Sequence, residues 1–229
     1  YFGDSEGEPR QLLDINQQQQ DWRAAIAYVR SLPTTAPERI VLWGTSLSGA
    51  HVIHTAAREP AIAAVIAQVP HLSGMAASES NSPGNAISLM AHGLYDKLRA
   101  LLGLAPHYIM AIAKDDSFGV ISAPGEVEGY LKLAPTDREF DLRISARVVI
   151  DATLYSPVRN LGDLGMPVLM QVGTNDLTTP EKPALDECPR HKNIDLRQYA
   201  MGHFEPYIEP GFSRIIEDQL SFLKQCFSN

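Results

Sequence analysis

Short apolar runs, each closed by a turn signal, alternate with stretches of helical spacing along most of this chain. Arg39 to Trp43 carries Ile40, Val41, Leu42 and Trp43 in an unbroken run. Ile62 to Val69 reads IAAVIAQV and Pro167 to Val172 reads PVLMQV. Runs this short, rich in β-branched residues and bounded by Gly or Pro, predict strands. Their near-continuous apolarity fits a parallel sheet covered on both faces. IDLRQY, within Asn193 to Ala200, alternates more weakly and predicts a strand at an edge. Helical spacing runs from a cap at Asp14 or Asn16 to about Arg30, through Trp22, Ala25, Ile26 and Val29. It recurs from Ala50 to Ala57, and from Pro210 to Phe227 with Phe212, Ile215, Ile216, Leu220 and Leu223. Asp186 to Arg190 closes a short helix, and Gln17 to Gln20 reads as a solvated helix start.

From Leu72 to about Leu154 this rhythm breaks. A loop rich in Ser, Gly, Asn and Pro (Ser73 to Asn85) leads into helical patterns at Ala86 to Leu102, Pro106 to Ala113 and Phe140 to Ala152. The expectation is a largely helical cap over a site. Most of its apolar side chains form the cap's own core, while Met90 and Tyr108 are candidates to face a pocket. The order predicted is therefore α/β, with a mostly parallel sheet, helices on both faces and an inserted cap.

The turn after the first strand, Gly44-Thr45-Ser46-Leu47-Ser48-Gly49, is where chemistry is expected. Strand, tight glycine turn, small hydroxyl and helix form a nucleophile elbow, which holds the serine oxygen clear of the sheet beside a helix N-terminus. Glycine is usual where Ser48 stands; serine is the next smallest polar choice, and Gly49 follows at once. A literal G-x-S-x-G occurs at Gly3 to Gly7, but Glu8-Pro9 follows it rather than a helix, so Ser5 reads as a loop residue.

Three residues each follow directly on a predicted strand, in the order Ser46, Asp176, His203. Open α/β sheets place functional groups at those strand ends. A serine hydroxyl needs a base to become nucleophilic, histidine can take and return that proton, and aspartate fixes its tautomer. Of seven histidines, His51 and His54 lie on the helix after the elbow, His92 and His107 in the cap and His191 in a polar loop. His71 ends the second strand, where it could line a pocket. His203 lies between the last strand and the last helix, with Phe204 beside it as a further pocket candidate. Asp186 is the alternative acid.

Composition narrows the classes. With 229 residues, 45% of them apolar, one domain with an insertion is expected. A net charge of −8 and a pI near 5.3 argue against a nucleic-acid surface. No apolar run approaches a membrane span. Cys188 and Cys226 show no metal spacing, and two cysteines suit a reducing, cytoplasmic setting. His51 and His54 lack acidic support for a metal, so no metal or other cofactor is expected.

WGTSLSGAHVIHTAA, IAAVIAQVPHLSG, GTNDLTTP and MGHFEPY together resemble serine α/β-hydrolases of the dienelactone-hydrolase-like or prolyl-peptidase-like kind. The nearer resemblance is to a bacterial and fungal branch that includes polyketide transferases and thiohydrolases. It runs from Tyr1 to the C-terminus and is weakest in the cap. It implies nucleophile Ser46, acid Asp176, base His203 and the Leu47 N–H as an oxyanion donor, and Ser48 suits this branch. It divides the chain into hydrolase core (1–71), cap (72–154) and hydrolase core (155–229). It also implies about four further strands ahead of the FGDSEG segment, with a second oxyanion donor among their loops. The chain is thus expected to be a shortened version of a longer protein, and weak or inactive if it stands alone.

Three functions compete. The first is cleavage of an ester or thioester of a hydrophobic acyl group through an acyl-enzyme on Ser46. The second is transfer of that acyl group, polyketide-like, to an alcohol or amine. The third is an inactive hydrolase-like binding protein. The expected partner is a small acyl ester or thioester; a homodimer is open, and neither nucleic acid nor membrane is expected.

Overall fold

A computed structural model describes residues 1–79, 82–112, 118–123, 125–134 and 141–228. Asp14 caps the first helix, α1 (Ile15–Ser31), accepting the Gln17 N–H at 3.0 Å. Such a cap satisfies one of the amides that a helix start leaves without partners. Strand β1 (Val41–Thr45), helix α2 (Leu47–Ala56) and strand β2 (Ala64–Gln68) follow. β1 begins two residues later than the expected start at Arg39 because Pro37–Arg39 forms a 3-10 turn, and it continues through Gly44 into Thr45.

The rhythm resumes after the cap with β6 (Val168–Gly173), α7 (Lys182–Glu187), β7 (Ile194–Tyr199) and α8 (Gly211–Phe227). The four core strands pair in parallel in the order β1-β2-β6-β7. The alternation within each strand sorts the core. Leu42, Val65, Ala67, Val168, Met170 and Val172 face one way, onto α1, α2 and α7. Ala64, Ile66 and Leu169 face the other way, onto Phe222 of α8. β7 lies at one edge, as its weaker alternation predicts. β1 lies at the other, where Trp43 is 45% exposed while its indole N–H donates to Gln219 Oε1 at 3.1 Å.

The cap departs from the helical expectation. It contains α3 (Gly74–Glu79), α4 (Pro83–Leu101), α5 (Glu126–Leu133) and α6 (Val148–Leu154). It also contains a three-stranded sheet of β3 (Tyr108–Ile112), β4 (Gly119–Ile121) and β5 (Arg143–Ser145), in the order β4-β3-β5. Pro106 to Ala113 is thus mostly strand. Ile109 and Ile112 have helical spacing, but five residues are too few to separate the two periods. Pairing with Ile144 and Ile121 settles the choice. Within Phe140 to Ala152 the helix starts only at Val148; Arg143–Ser145 pairs antiparallel with β3. Part of that stretch, like part of Pro106 to Ala113, lies outside the described residues. Asp96, fully buried on α4, holds the cap together. It accepts the His107 and Arg147 N–H groups at 2.7 and 2.8 Å and the Arg147 guanidinium at 2.8 Å. Although burial opposes its charge, these donors bring its pKa below the ordinary carboxylate value.

Candidate active site

The elbow forms at the end of β1. Ser46 has φ 54° and ψ −123°, a conformation that is rare outside glycine. Its neighbours hold it there: the Ser46 N–H donates to Gln68 O at 2.9 Å, and Ser46 O accepts from His71 N at 3.0 Å and Ala50 N at 3.2 Å. Two glycines make the turn possible. A Cβ on Gly44 would lie 2.3 Å from Ser48 O, and one on Gly49 would lie 2.9 Å from Pro70 Cβ. Gly49 thus provides the close approach usually assigned to the position that Ser48 fills. Leu47 opens α2, so its N–H has no partner within the helix and is free to face an oxyanion.

The other strand ends bring Asp176 and His203 to the same place. His203 Nε2 is 2.9 Å from Ser46 Oγ, and His203 Nδ1 is 2.7 Å from Asp176 Oδ2. Both side chains are buried. Asp176 sits in a tight turn in which its Oδ1 accepts the Thr178 and Thr179 amides at 2.9 and 2.6 Å. The Thr179 hydroxyl lies 2.7 Å from Asp176 Oδ2, 3.1 Å from His203 Nδ1 and 3.0 Å from the Val69 carbonyl. It thereby ties the acid to the β2 terminus. Thr179 was not singled out from the sequence, although an Asp followed by hydroxyl residues two and three places on is a recurrent turn signal.

The remaining candidates separate cleanly. Asp186 is paired with Lys182 on α7, away from His203. Ser5 lies in an exposed loop whose carbonyl accepts from Arg10. His51 is buried among Gln18, Gln19 and Tyr155, and burial, reinforced by His54 and His71, pushes its pKa down to about 4. His71 also has a lowered pKa, chiefly from burial, and its Nε2 is 3.2 Å from Ala152 O.

A cavity of about 290 Å³ lies between core and cap. Leu47, His71, Leu177 and Thr178 line it from the core; Leu89, Val120, Ile144, Val149 and small residues such as Gly74 and Ala77 line it from the cap. Of the four pocket candidates, His71 lines this cavity and the other three do not. Met90 is partly exposed, with its sulfur 4.0 Å from the Thr153 hydroxyl. The Tyr108 hydroxyl donates to Arg10 O at 3.0 Å. Phe204 is buried edge-on against His203, their ring centres 5.0 Å apart, where it braces the imidazole.

Known proteins are similar to this chain in sequence and fold. An acetyl xylan esterase (AXE1) family model matches residues 17–79, the stretch that contains the elbow. The quorum-quenching protein AidA of Acinetobacter baumannii (strain MDR-ZJ06) is 41% identical over 225 residues, covering 98% of this chain and 74% of that protein. The polyketide transferase claH of Penicillium crustosum is 24% identical over 235 residues, covering 98% and 75%. Among solved structures, the α/β hydrolase GrgF from Penicillium sp. sh18 superposes with a TM-score of 0.74 at 22% identity, covering 99% of this chain and 77% of that one. DcsB, solved with a substrate analogue, gives 0.76 at 20% identity over 97% and 77%. The chain belongs to the serine α/β-hydrolases, near the branch of polyketide transferases and thiohydrolases, a class of ester-cleaving and acyl-transferring enzymes.

Proposed function

We propose that this chain cleaves an ester or thioester of a hydrophobic acyl group through a covalent acyl-enzyme on Ser46. The observation that carries this reading is the hydrogen-bonded line from Ser46 Oγ through His203 to Asp176, opening beside an apolar cavity at Leu47. In this reading Ser46 Oγ attacks the acyl carbonyl and its proton passes to His203 Nε2. The developing oxyanion is stabilised by the Leu47 N–H at the start of α2. His203 then returns the proton to the departing alcohol or thiol. The acyl group stays on Ser46 with its chain in the cavity. Water, activated by the same imidazole, attacks and releases the acid. Asp176 Oδ2 holds Nδ1–H and keeps Nε2 facing the serine.

The cavity supports a flexible apolar acyl group. Its walls carry aliphatic and small side chains, with His71 the one ring among the described residues that line it. The relative's name, quorum-quenching protein, makes a signalling molecule with such a group the first substrate to try. Acyl transfer is the second reading, favoured by the polyketide transferases among the relatives; it uses the same residues until an alcohol or amine replaces water.

The test is labelling with a fluorophosphonate probe, followed by hydrolysis of nitrophenyl esters of increasing chain length. Wild-type protein should be labelled at Ser46 and Ser46→Ala should not. A wild-type protein that folds but stays unlabelled would overturn the acyl-enzyme reading. Product analysis with and without an added alcohol separates hydrolysis from transfer.

A further inference from the structure

Glu126 is a carboxylate outside the serine–histidine–aspartate line that nevertheless reaches it. It is the first residue of α5 in the cap, and it is only 4% exposed. Its Oε1 accepts the Leu177 N–H at 3.0 Å, on the residue directly after Asp176. The same oxygen comes near the histidine turn: a Cβ on Gly202 would lie 3.9 Å from it. α5 is clamped to that turn a second time. Gly129 lies so close to Phe204 that a Cβ there would be 2.8 Å from Phe204 Cβ, and Tyr130 meets the Phe204 ring edge-on.

A buried carboxylate needs a reason to be there, because removing its charge from water is costly. Its Oε1 accepts a backbone amide of the turn that carries the acid and lies beside the turn that carries the base. We propose that Glu126 is a positioning residue for the proton relay: it joins the Asp176 turn to the His203 turn and sets a second negative charge beside the imidazole. Through it, the packing of α5 against the two turns supports the relay.

The charged groups around it fix the direction of the pH effect. Asp176 and the imidazole of His203 act on it from the core. Glu205 shares the Gly202 surface, accepting its N–H, and Glu128 on α5 itself accepts the Gly125 N–H at 2.8 Å. Burial first, and Asp176 next among the factors that raise it, push the Glu126 pKa above its ordinary value, while the backbone donors and His203 oppose this. Falling pH therefore neutralises Glu126 earlier than an exposed glutamate. With the charge present, the imidazolium formed during attack is favoured.

The inference assumes that Ser46 is the nucleophile, so the experiment has one arm that depends on this and one that does not. In the first, the rate of fluorophosphonate labelling is followed from pH 5 to 9 for wild type and Glu126→Gln, which keeps an acceptor oxygen but loses the charge. In Glu126→Gln the acid limb of the profile should be displaced to lower pH relative to wild type, with the plateau rate reduced about tenfold, the ratio of one pKa unit. Coincident profiles would overturn the proposal, as would a loss of thermal stability without a change in profile. In the second arm, hydrogen exchange of residues 174–179 and 200–205 is compared in wild type and Glu126→Ala. Faster exchange in both turns supports the tie, whether or not the wild type is labelled; unchanged exchange overturns it. An unlabelled wild type would count against the nucleophile, and the exchange arm would still decide the role of Glu126.

Discussion

The elbow rests on steric contacts that one methyl group can test. In Gly44→Ala the new Cβ would start 2.3 Å from Ser48 O, a backbone atom that cannot swing away as a side chain would. Heavy atoms do not settle closer than about 3.0 Å, so β1 and α2 must separate by about 0.7 Å or more at the residue pair that brackets Ser46. That shift acts directly on Ser46 Oγ, which now lies 2.9 Å from His203 Nε2. A displacement near 1 Å costs a positioned reaction about a hundredfold, and overpacking of this kind costs about 1–3 kcal/mol of stability. Gly49→Ala meets Pro70 Cβ at 2.9 Å and Gln68 O at 3.2 Å, a milder collision for which a smaller loss is expected. Ser48→Gly is the control. If Gly49 has taken over the close contact, glycine at 48 gains nothing and costs only its helix propensity, about 0.5 kcal/mol. The assay is labelling rate at saturating probe together with thermal unfolding. Gly44→Ala with wild-type labelling, or Ser48→Gly with a large gain, would refute the assignment of the close approach to Gly44 and Gly49.

Four further outcomes follow from the same geometry. Asp176→Asn should leave the fold intact but reduce turnover about 10⁴-fold by favouring the wrong imidazole tautomer, measured as kcat on a short nitrophenyl ester; a loss under tenfold contradicts the acid role. Ala77→Leu adds three carbons to the cavity wall and should lower kcat/KM for long acyl chains about tenfold per excluded methylene while sparing acetyl esters; a uniform loss would place the acyl chain elsewhere. His51 has its pKa lowered to about 4 in the folded chain, so between pH 6.5 and 4 the unfolded chain binds the proton first. Stability should therefore fall as pH drops through that window, by at most about 3 kcal/mol, and urea unfolding of His51→Gln should lack that part of the slope. Cys188 is buried, with its thiol pushed up to about 11, so iodoacetamide at pH 8 should modify Cys226 and spare Cys188, as peptide mapping will show.

The core and its polar line were legible because their signals are local. Val168–Gly173 takes up most of PVLMQV, a stretch too apolar for a solvated element, and a turn follows it directly. His203 was separable from six other histidines by place in the chain alone, since the end of a core strand is where a parallel sheet exposes its functional groups. The elbow was legible despite Ser48, because packing needs a glycine on the inner face of the first helical turn and Gly49 supplies one. The cap was less legible for an equally physical reason. Its strands are three to five residues long, and β3 pairs with β5 across more than thirty positions of chain, Tyr108 with Ser145 and Ile109 with Ile144. Neither member of such a pair carries a pattern that distinguishes it from a turn of helix.

That difference matters for reading function. A residue of the proposed triad is found from its own neighbours in sequence, whereas Glu126 has no such neighbours: it ends no strand of the core sheet and matches no motif. Its role arises where α5 lands, 51 residues before Leu177, whose N–H it accepts. Thr179 is intermediate, local to Asp176 yet tied to Val69 of the neighbouring β2 terminus. The proposed catalytic residues are thus placed by the sheet, and the residues proposed to hold them are recruited by what packs above it. Relatives that share the sheet but differ in the cap should keep the serine, histidine and aspartate and exchange the positioning carboxylate. Grafting a foreign cap onto this core should then restore the hydrogen-bonded line only when a carboxylate again reaches the Leu177 N–H. A graft lacking one that keeps the wild-type pH profile would show that the sheet alone suffices.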